Sequence, residues 1–126
     1  MLKKIILNHV LEHFLKPIEL IEELHRICKK GAIINIRVPY FSHESAYSNM
    51  THYHQFTWTS FDFLEGEHSQ HWQGTGKFEI ISKKLIWRKI FYLFQLIFNE
   101  FPRVYQELFC WILPAKELRI KLKVIK

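Results

Sequence analysis

The stretch IILNHVLEHFLKPIELIEELHRICKKGAIINIRV, residues 5–38, contains two apolar runs separated by one amphipathic segment. Residues 5–7 form a short continuous apolar run, which is typical of a strand in a parallel sheet. Pro17 suits the first turn of a helix, and we expect Gly31 to end that helix. Residues 32–38 form a second apolar run and are predicted to be the next strand. A strand, a helix and a strand in this order predict a right-handed parallel βαβ unit.

The rest of the chain adds elements of both kinds, so we expect an α/β fold. A turn is predicted at residues 74–76, followed by a third strand over residues 78–82 or slightly beyond. Two helices are predicted over residues 90–101 and 103–113. Over residues 118–126, the apolar residues Leu118, Ile120, Leu122 and Val124 alternate with Arg119, Lys121, Lys123 and Ile125. This period of two predicts a half-exposed strand.

The composition of the 126 residues fits one folded domain, because 48% are hydrophobic and 16% are aromatic. The net charge of +6 is partly due to the alternating strand at residues 118–126, so nucleic acid is not an expected partner. Cys28 and Cys110 stand apart, which predicts free thiols in a cytoplasmic protein. The longest uncharged aromatic stretch, residues 90–99, is about half of the roughly 20 residues that span a bilayer, so no transmembrane segment is expected.

The string Asn8-His9-Val10-Leu11-Glu12-His13 resembles the HVLEH segment that follows the fourth strand in class I S-adenosylmethionine-dependent methyltransferases of the type 11 kind. Four further segments resemble that family in the same order, at residues 22–31, 34–40, 46–56 and 101–118. The resemblance implies a truncated Rossmann-like sheet with flanking helices. The family's strand order is 3-2-1-4-5-7-6. This chain would hold strands 4, 5, 7 and 6, with the last strand antiparallel between its neighbours.

In this family a glycine-rich turn after the first strand holds the methionine part of the cofactor, and an acidic residue on the second strand holds the ribose. The glycines of this sequence are Gly31, Gly66, Gly74 and Gly76, and none follows a first strand. The resemblance therefore implies one partial domain, residues 1–126, that lacks the amino-terminal cofactor-binding half. We expect weak or absent S-adenosylmethionine binding by the isolated chain, and no activity.

The resemblance also assigns site residues. Asn8 and His9 lie just past the first strand and are predicted to face the cofactor; alternatively, Asn8 only turns the chain and His9 packs beneath it. Glu12 and His13 form either an acid–base pair or hydrogen bonds at a helix entry.

The loop after the second strand is predicted to form the acceptor pocket. Tyr40, His43 and Tyr47 are expected to line it, and His52 and His54 are the candidate catalytic residues, with a histidine as general base.

A metal site is an alternative for the histidines. The candidates are His43, His52, His54, His68 and His71. Because no cysteine or carboxylate lies within seven residues of His52 or His54, and the resemblance of their loop to the family accounts for both, we expect no metal ion.

The expected function is methyl transfer from S-adenosylmethionine to a small or lipid-like acceptor, once a missing half completes the domain. The Asn-Pro-Pro-Tyr signature of methylation on nucleic-acid bases is absent. The alternative is a non-catalytic remnant or interaction subunit that pairs through residues 5–7, either as a homodimer or with a complementing chain. A gene fragment or a misassigned start is a third interpretation.

The aromatic run of residues 91–101 is predicted to pack in the core, to cover the pocket or to meet a partner, and peripheral membrane contact is compatible with it.

Overall fold

Four strands and three α-helices make up the part of the fold that the structure describes. The structure is a computed structural model, and it describes residues 1–65 and 78–126. The strands are β1 (Leu2–Asn8), β2 (Cys28–Pro39), β3 (Phe78–Ile86) and β4 (Glu117–Val124). The helices are α1 (Pro17–Ile27), α2 (Tyr92–Glu100) and α3 (Pro102–Val104), and α3 continues as a π-helical segment over Tyr105–Phe109.

The four strands form one mixed sheet in the order β1-β2-β4-β3. β1 and β2 are parallel, and β4 runs antiparallel to both of its neighbours, β2 and β3. The parallel βαβ unit, the position of the last strand and its direction are therefore as predicted. The structure is a mixed α/β fold.

One face of the sheet carries the hydrophobic core. Ile34 of β2 is paired with Leu122 of β4, and Ile36 with Ile120, and all four side chains are buried. α1 packs on this core through Ile21 and Leu24. Burial of each such side chain contributes about 1.5–3 kcal/mol before the entropy of ordering is subtracted. β4 buries its apolar positions and leaves its lysines exposed, as the alternation predicted.

The opposite face is polar and strongly basic. The register of the strands places on it Lys4, Asn35, Arg37, Lys84, Arg119, Lys121 and Lys123, together with Ile6 and the carboxylates of Glu79 and Glu117. Doubly wound α/β sheets bury apolar side chains on both faces. Apart from the buried Pro39 and the half-buried Ile33 and Ile86, the described strands of this chain bury their apolar side chains on one face.

The predicted end of the first helix is wrong. α1 ends at Ile27, and Cys28 is already extended, with its N–H donating to the carbonyl of Leu24. Gly31 lies inside β2 with a φ of +82°, close to an irregular register against β1. Pairing with β1 therefore extends β2 towards the helix, and the glycine accommodates the irregularity instead of ending the helix.

The carboxyl-terminal helices are shorter than predicted. A 3₁₀ turn over Lys89–Phe91 precedes α2, and the helical segment from Pro102 ends at Phe109. The predicted turn at residues 74–76 lies outside the described residues. Both cysteines are free and buried, as expected. In the described ranges, no helix is both long enough and apolar enough to cross a bilayer.

Candidate functional site

The candidate site lies at the carboxyl ends of the parallel strands β1 and β2. Antiparallel β4 begins at this same end of the sheet, because Glu117 is the register partner of Pro39. His9, the first residue after β1, has a φ of +56°, which costs about 1 kcal/mol or more for a residue with a Cβ atom. Its N–H donates to the carbonyl of Arg37 at 2.9 Å, so the strained turn is held against β2. Ligands of open α/β sheets bind at the carboxyl ends of the parallel strands.

Glu117 is the charge centre on one side of the site. His9 Nε2 lies 2.9 Å from Glu117 Oε1, while Arg119 Nε and an Arg37 guanidinium nitrogen lie 3.2 and 3.3 Å from Oε2. Burial raises the pKa of the Glu117 carboxyl, but hydrogen bonds from His9 and Arg119 and the charges of Arg37 and Arg119 outweigh it, so the pKa is below its ordinary value. The carboxylate therefore links β1, β2 and β4.

Glu12 forms a second, more deeply buried carboxylate beside the first. Its exposed fraction is 1%, and neither side-chain oxygen has a hydrogen-bond donor among the described residues. Glu12 Oε1 lies 3.6 Å from His9 Nδ1 and 3.9 Å from His13 Nε2. Buried carboxylates are normally paired with a cation or with hydrogen-bond donors.

Three hydrogen bonds connect the segment after β1 to the loop that follows β2. The N–H of Tyr53 donates to the backbone carbonyl of Glu12 at 2.7 Å, and His13 Nδ1 lies 2.8 Å from Thr51 Oγ1. His54 Nε2 donates to the backbone carbonyl of Leu15 at 2.9 Å. These contacts place the ring of His52 edge-on against that of His13, with centroids 4.6 Å apart.

The predicted catalytic and cofactor residues are only partly brought together. His52 joins the cluster of Glu12 and His13, whereas the Nε2 of His54 is bonded to the chain backbone. Asn8 lies at the end of β1 on the basic face, in a groove that Arg37 and Arg119 also line. The His9 ring is engaged by Glu117 instead of packing beneath the turn.

The predicted pocket residues are spread over three environments. Tyr40 is completely buried, and its hydroxyl donates to Gln106 Oε1 at 3.1 Å. His43 caps the turn over Glu44–Ala46, since its Nδ1 accepts from the N–H of Ser45 at 3.1 Å, and burial lowers its pKa. Tyr47 is exposed. The described structure therefore does not place these three side chains around one cavity.

An apolar cavity of about 510 Å³ does lie next to the cluster, between the start of α1 and the loop. Its walls include Leu11, Ile18, Phe56, Phe61 and Phe63, and His54 is at its margin. Such a volume and lining suit a small apolar or amphipathic molecule. No local sequence pattern predicts this cavity, because its two walls are more than 30 residues apart along the chain.

Comparison with protein-family models and with curated proteins gives no match for this chain. The fold class that the sheet defines is mixed α/β, and the functional assignment depends on the topology and on the site geometry above.

Proposed function

We propose that this chain provides the carboxyl-terminal half of a class I S-adenosylmethionine-dependent methyltransferase with a Rossmann-like sheet, and that it acts on a small or lipid-like acceptor. The observation that carries the proposal is the strand order β1-β2-β4-β3 with β4 antiparallel between its neighbours. That arrangement is the one expected for strands 4, 5, 7 and 6 of the family. The HVLEH-like segment then lies at the carboxyl ends of the parallel strands, where such sheets bind ligands.

In this proposal the residues at the carboxyl ends of β1 and β2 mainly position the reactants. S-adenosylmethionine, when bound, supplies an electrophilic methyl group, and in-line transfer depends chiefly on orientation. Asn8 fits the cofactor side because its side chain is exposed at the end of β1. The apolar cavity fits the acceptor, and His54 lines it; because His54 Nε2 donates to the Leu15 carbonyl, its Nδ1 holds the lone pair that would accept the acceptor's proton.

The residues present fit only part of the cofactor. None of the four glycines follows the first strand of the sheet, so the turn that holds the methionine moiety has to come from another segment. That segment would continue the sheet beyond β1.

Calorimetric titration with S-adenosylmethionine tests the proposal. The purified chain should bind it more weakly than low-micromolar, and mixing or fusion with an amino-terminal half from the family should restore binding. Asn8→Ala and His9→Ala should then weaken the restored binding, while Glu22→Gln on the exposed side of α1 should not. Low-micromolar binding by the isolated monomer would refute the half-domain interpretation. No binding by a folded, stably associated mixture would refute the methyltransferase function.

A non-catalytic interaction subunit is the second candidate, and the exposed β1 edge favours it. Ile6 is 57% exposed and Leu2 is 48% exposed, and among the described strands β1 pairs only with β2. In this case the chain associates through β1 with no effect of S-adenosylmethionine on the association. The buried free thiols fit a cytoplasmic location for either candidate.

Exposed apolar side chains over residues 90–112 favour contact with a lipid-like acceptor or a membrane surface. The most exposed of them are Ile90, Leu93, Phe101, Leu108, Trp111 and Ile112. Exposed apolar surface is a common feature of interaction sites.

A further inference from the structure

The carboxylate of Glu12 is buried without a partner, and this arrangement needs a cation. Both of its oxygens lack hydrogen-bond donors among the described residues, and the side chain is almost fully inaccessible. Desolvation of an unpaired carboxylate costs several kcal/mol. Imidazole nitrogens of His9 and His13 lie within 4 Å of Oε1, and neutral imidazoles are metal ligands.

The hydrogen bonds of His13 and His52 determine which ring nitrogen of each histidine carries the lone pair. His52 Nδ1 lies 3.3 Å from the carbonyl oxygen of Ala46, which can only accept, so Nδ1 carries the proton. Thr51 Oγ1 donates to Asn49 Oδ1 at 2.7 Å and therefore accepts from His13 Nδ1. In both neutral rings the lone pair is then on Nε2.

The three groups lie close enough to share one ion. One ligand atom from each of Glu12, His13 and His52 lies within 4.8 Å of the other two. Ligands bonded to a metal at about 2.0–2.1 Å are roughly 3 Å apart, a distance that small side-chain rotations reach from here. Oriented imidazoles whose second nitrogen donates to an oxygen are the usual outer-shell arrangement of a metal site.

We propose that Glu12, His13 and His52 bind one divalent transition-metal ion, such as Zn²⁺ or Mn²⁺. Two imidazoles and one carboxylate bind such ions and leave coordination positions for water or a substrate oxygen. Thr51 and the Ala46 carbonyl are positioning groups, since they fix the tautomers of the two rings. His9 Nδ1, at 3.6 Å from the carboxylate, is close enough to be a further ligand. This inference goes beyond the methyltransferase proposal and does not depend on it.

Metal titration without any methyl donor tests the site. The protein is treated with chelator, returned to chelator-free buffer, and titrated with Zn²⁺ against a chromophoric competitor and with Mn²⁺ by electron paramagnetic resonance. We expect one equivalent to bind with micromolar or tighter affinity. His52→Ala and Glu12→Gln should weaken it about a hundredfold or more, and Thr51→Val about tenfold, as for outer-shell groups.

His54→Ala is the matched control, because that histidine is two residues away and its Nε2 donates to the Leu15 carbonyl. It should leave the affinity within about threefold. Glu12→Gln keeps the size of the side chain and removes the buried charge, so it should fold even if His52→Ala does not. A rise of the melting temperature on addition of Zn²⁺ in the wild type, absent in Glu12→Gln, would support the site.

Two results would overturn the inference. One is substoichiometric binding by the wild type, which would show that the cluster does not hold a metal ion. The other is equal loss of affinity in His54→Ala and His52→Ala, which would place the metal outside this cluster.

Discussion

Glu117 connects three strands through one side chain, since His9 follows β1, Arg37 belongs to β2 and Arg119 belongs to β4. Its carboxylate is buried, yet its pKa is held below the ordinary value by these donors. The ionised form is therefore the one that stabilises the fold. A residue of this kind contributes to stability only while it is charged.

Glu117→Gln should lower the free energy of unfolding at pH 7 by about 1–3 kcal/mol, because it leaves two guanidinium groups without their carboxylate. The folded pKa lies below the unfolded one, so the wild-type contribution is complete above about pH 4.5 and is lost as the pH falls through the folded pKa. Urea unfolding at pH 7 and at pH 3.5 measures the difference, which should shrink at the lower pH. Glu107→Gln, at an exposed position, should change neither value. A deficit of the same size at both pH values would contradict this assignment.

Gly31 allows a second prediction at the level of single residues. An added Cβ would meet no atom within 4 Å, so only the positive φ opposes a side chain here. Gly31→Ala should lower stability by about 1 kcal/mol, and Gly31→Asn should lower it less, because asparagine tolerates this conformation better. Thermal unfolding of both variants against the wild type provides the measurement. An unchanged or higher melting temperature for the alanine variant would show that the backbone relaxes at this position.

Individual residues were predictable where a local pattern determines them. The exposed lysines of β4 follow from alternation with buried apolar neighbours. The proximity of Glu12 and His52 was not predictable, because 39 residues, 13–51, separate them along the chain. The expectation of no metal depended on residues that are neighbours in the sequence. The fold brings the Glu12 carboxylate, from the segment after β1, close to His52 of the other loop.

Among the elements, the strands were predicted better than the ends of the helices. The apolar runs of β1 and β2 and the period of two in β4 are strong signals because they reflect burial. The end of α1 depends on how far β2 pairs with β1, which is a tertiary effect. In the same way, the segment predicted as one helix over residues 103–113 changes to π-helical geometry at Tyr105.

Tyr105 connects this helical segment to β4. Its ring is completely buried, its hydroxyl donates to the Leu113 carbonyl at 2.8 Å, and it accepts from the N–H of Ala115 at 2.7 Å. Burial raises the pKa of Tyr105, so the hydroxyl stays protonated as a donor.

Tyr105→Phe should therefore lower stability by about 1–3 kcal/mol, because the buried N–H of Ala115 loses its acceptor. Chemical denaturation gives the value. Tyr92→Phe, at an exposed position on α2, is the matched control and should stay within about 0.5 kcal/mol of the wild type. Equal effects of the two substitutions would mean that the hydroxyl of Tyr105 does not hold the connection to β4.

At the scale of the whole molecule, the sheet is asymmetric in two ways. Its core face is apolar while its other face is basic, so a segment that covers the second face would need carboxylates as well as apolar groups. Its two edges also differ. β3 carries Ser82, Lys83 and Lys84 beside a register irregularity, and such features prevent edge pairing. Residues 5–7 of β1 have no charge and no irregularity.

The free chain should therefore associate through β1, despite its net charge of +6. Unpaired N–H and C=O groups along this strand lie beside the exposed side chain of Ile6, and strand addition would satisfy both. Ile6→Lys places a charge on this edge and should convert dimers or larger species to monomers. Sedimentation velocity at roughly tens of micromolar, where exposed edges associate, makes the measurement.

Ile112→Lys tests the exposed apolar side chains of residues 90–112 separately, since Ile112 is 77% exposed and does not belong to β1. It should leave association through β1 intact. If Ile112→Lys dissociates the assembly and Ile6→Lys does not, the contact is made by the exposed apolar side chains of residues 90–112 instead. A wild-type chain that stays a soluble monomer over the same range would show that neither surface pairs, and that the polar backbone groups of β1 are satisfied by solvent alone.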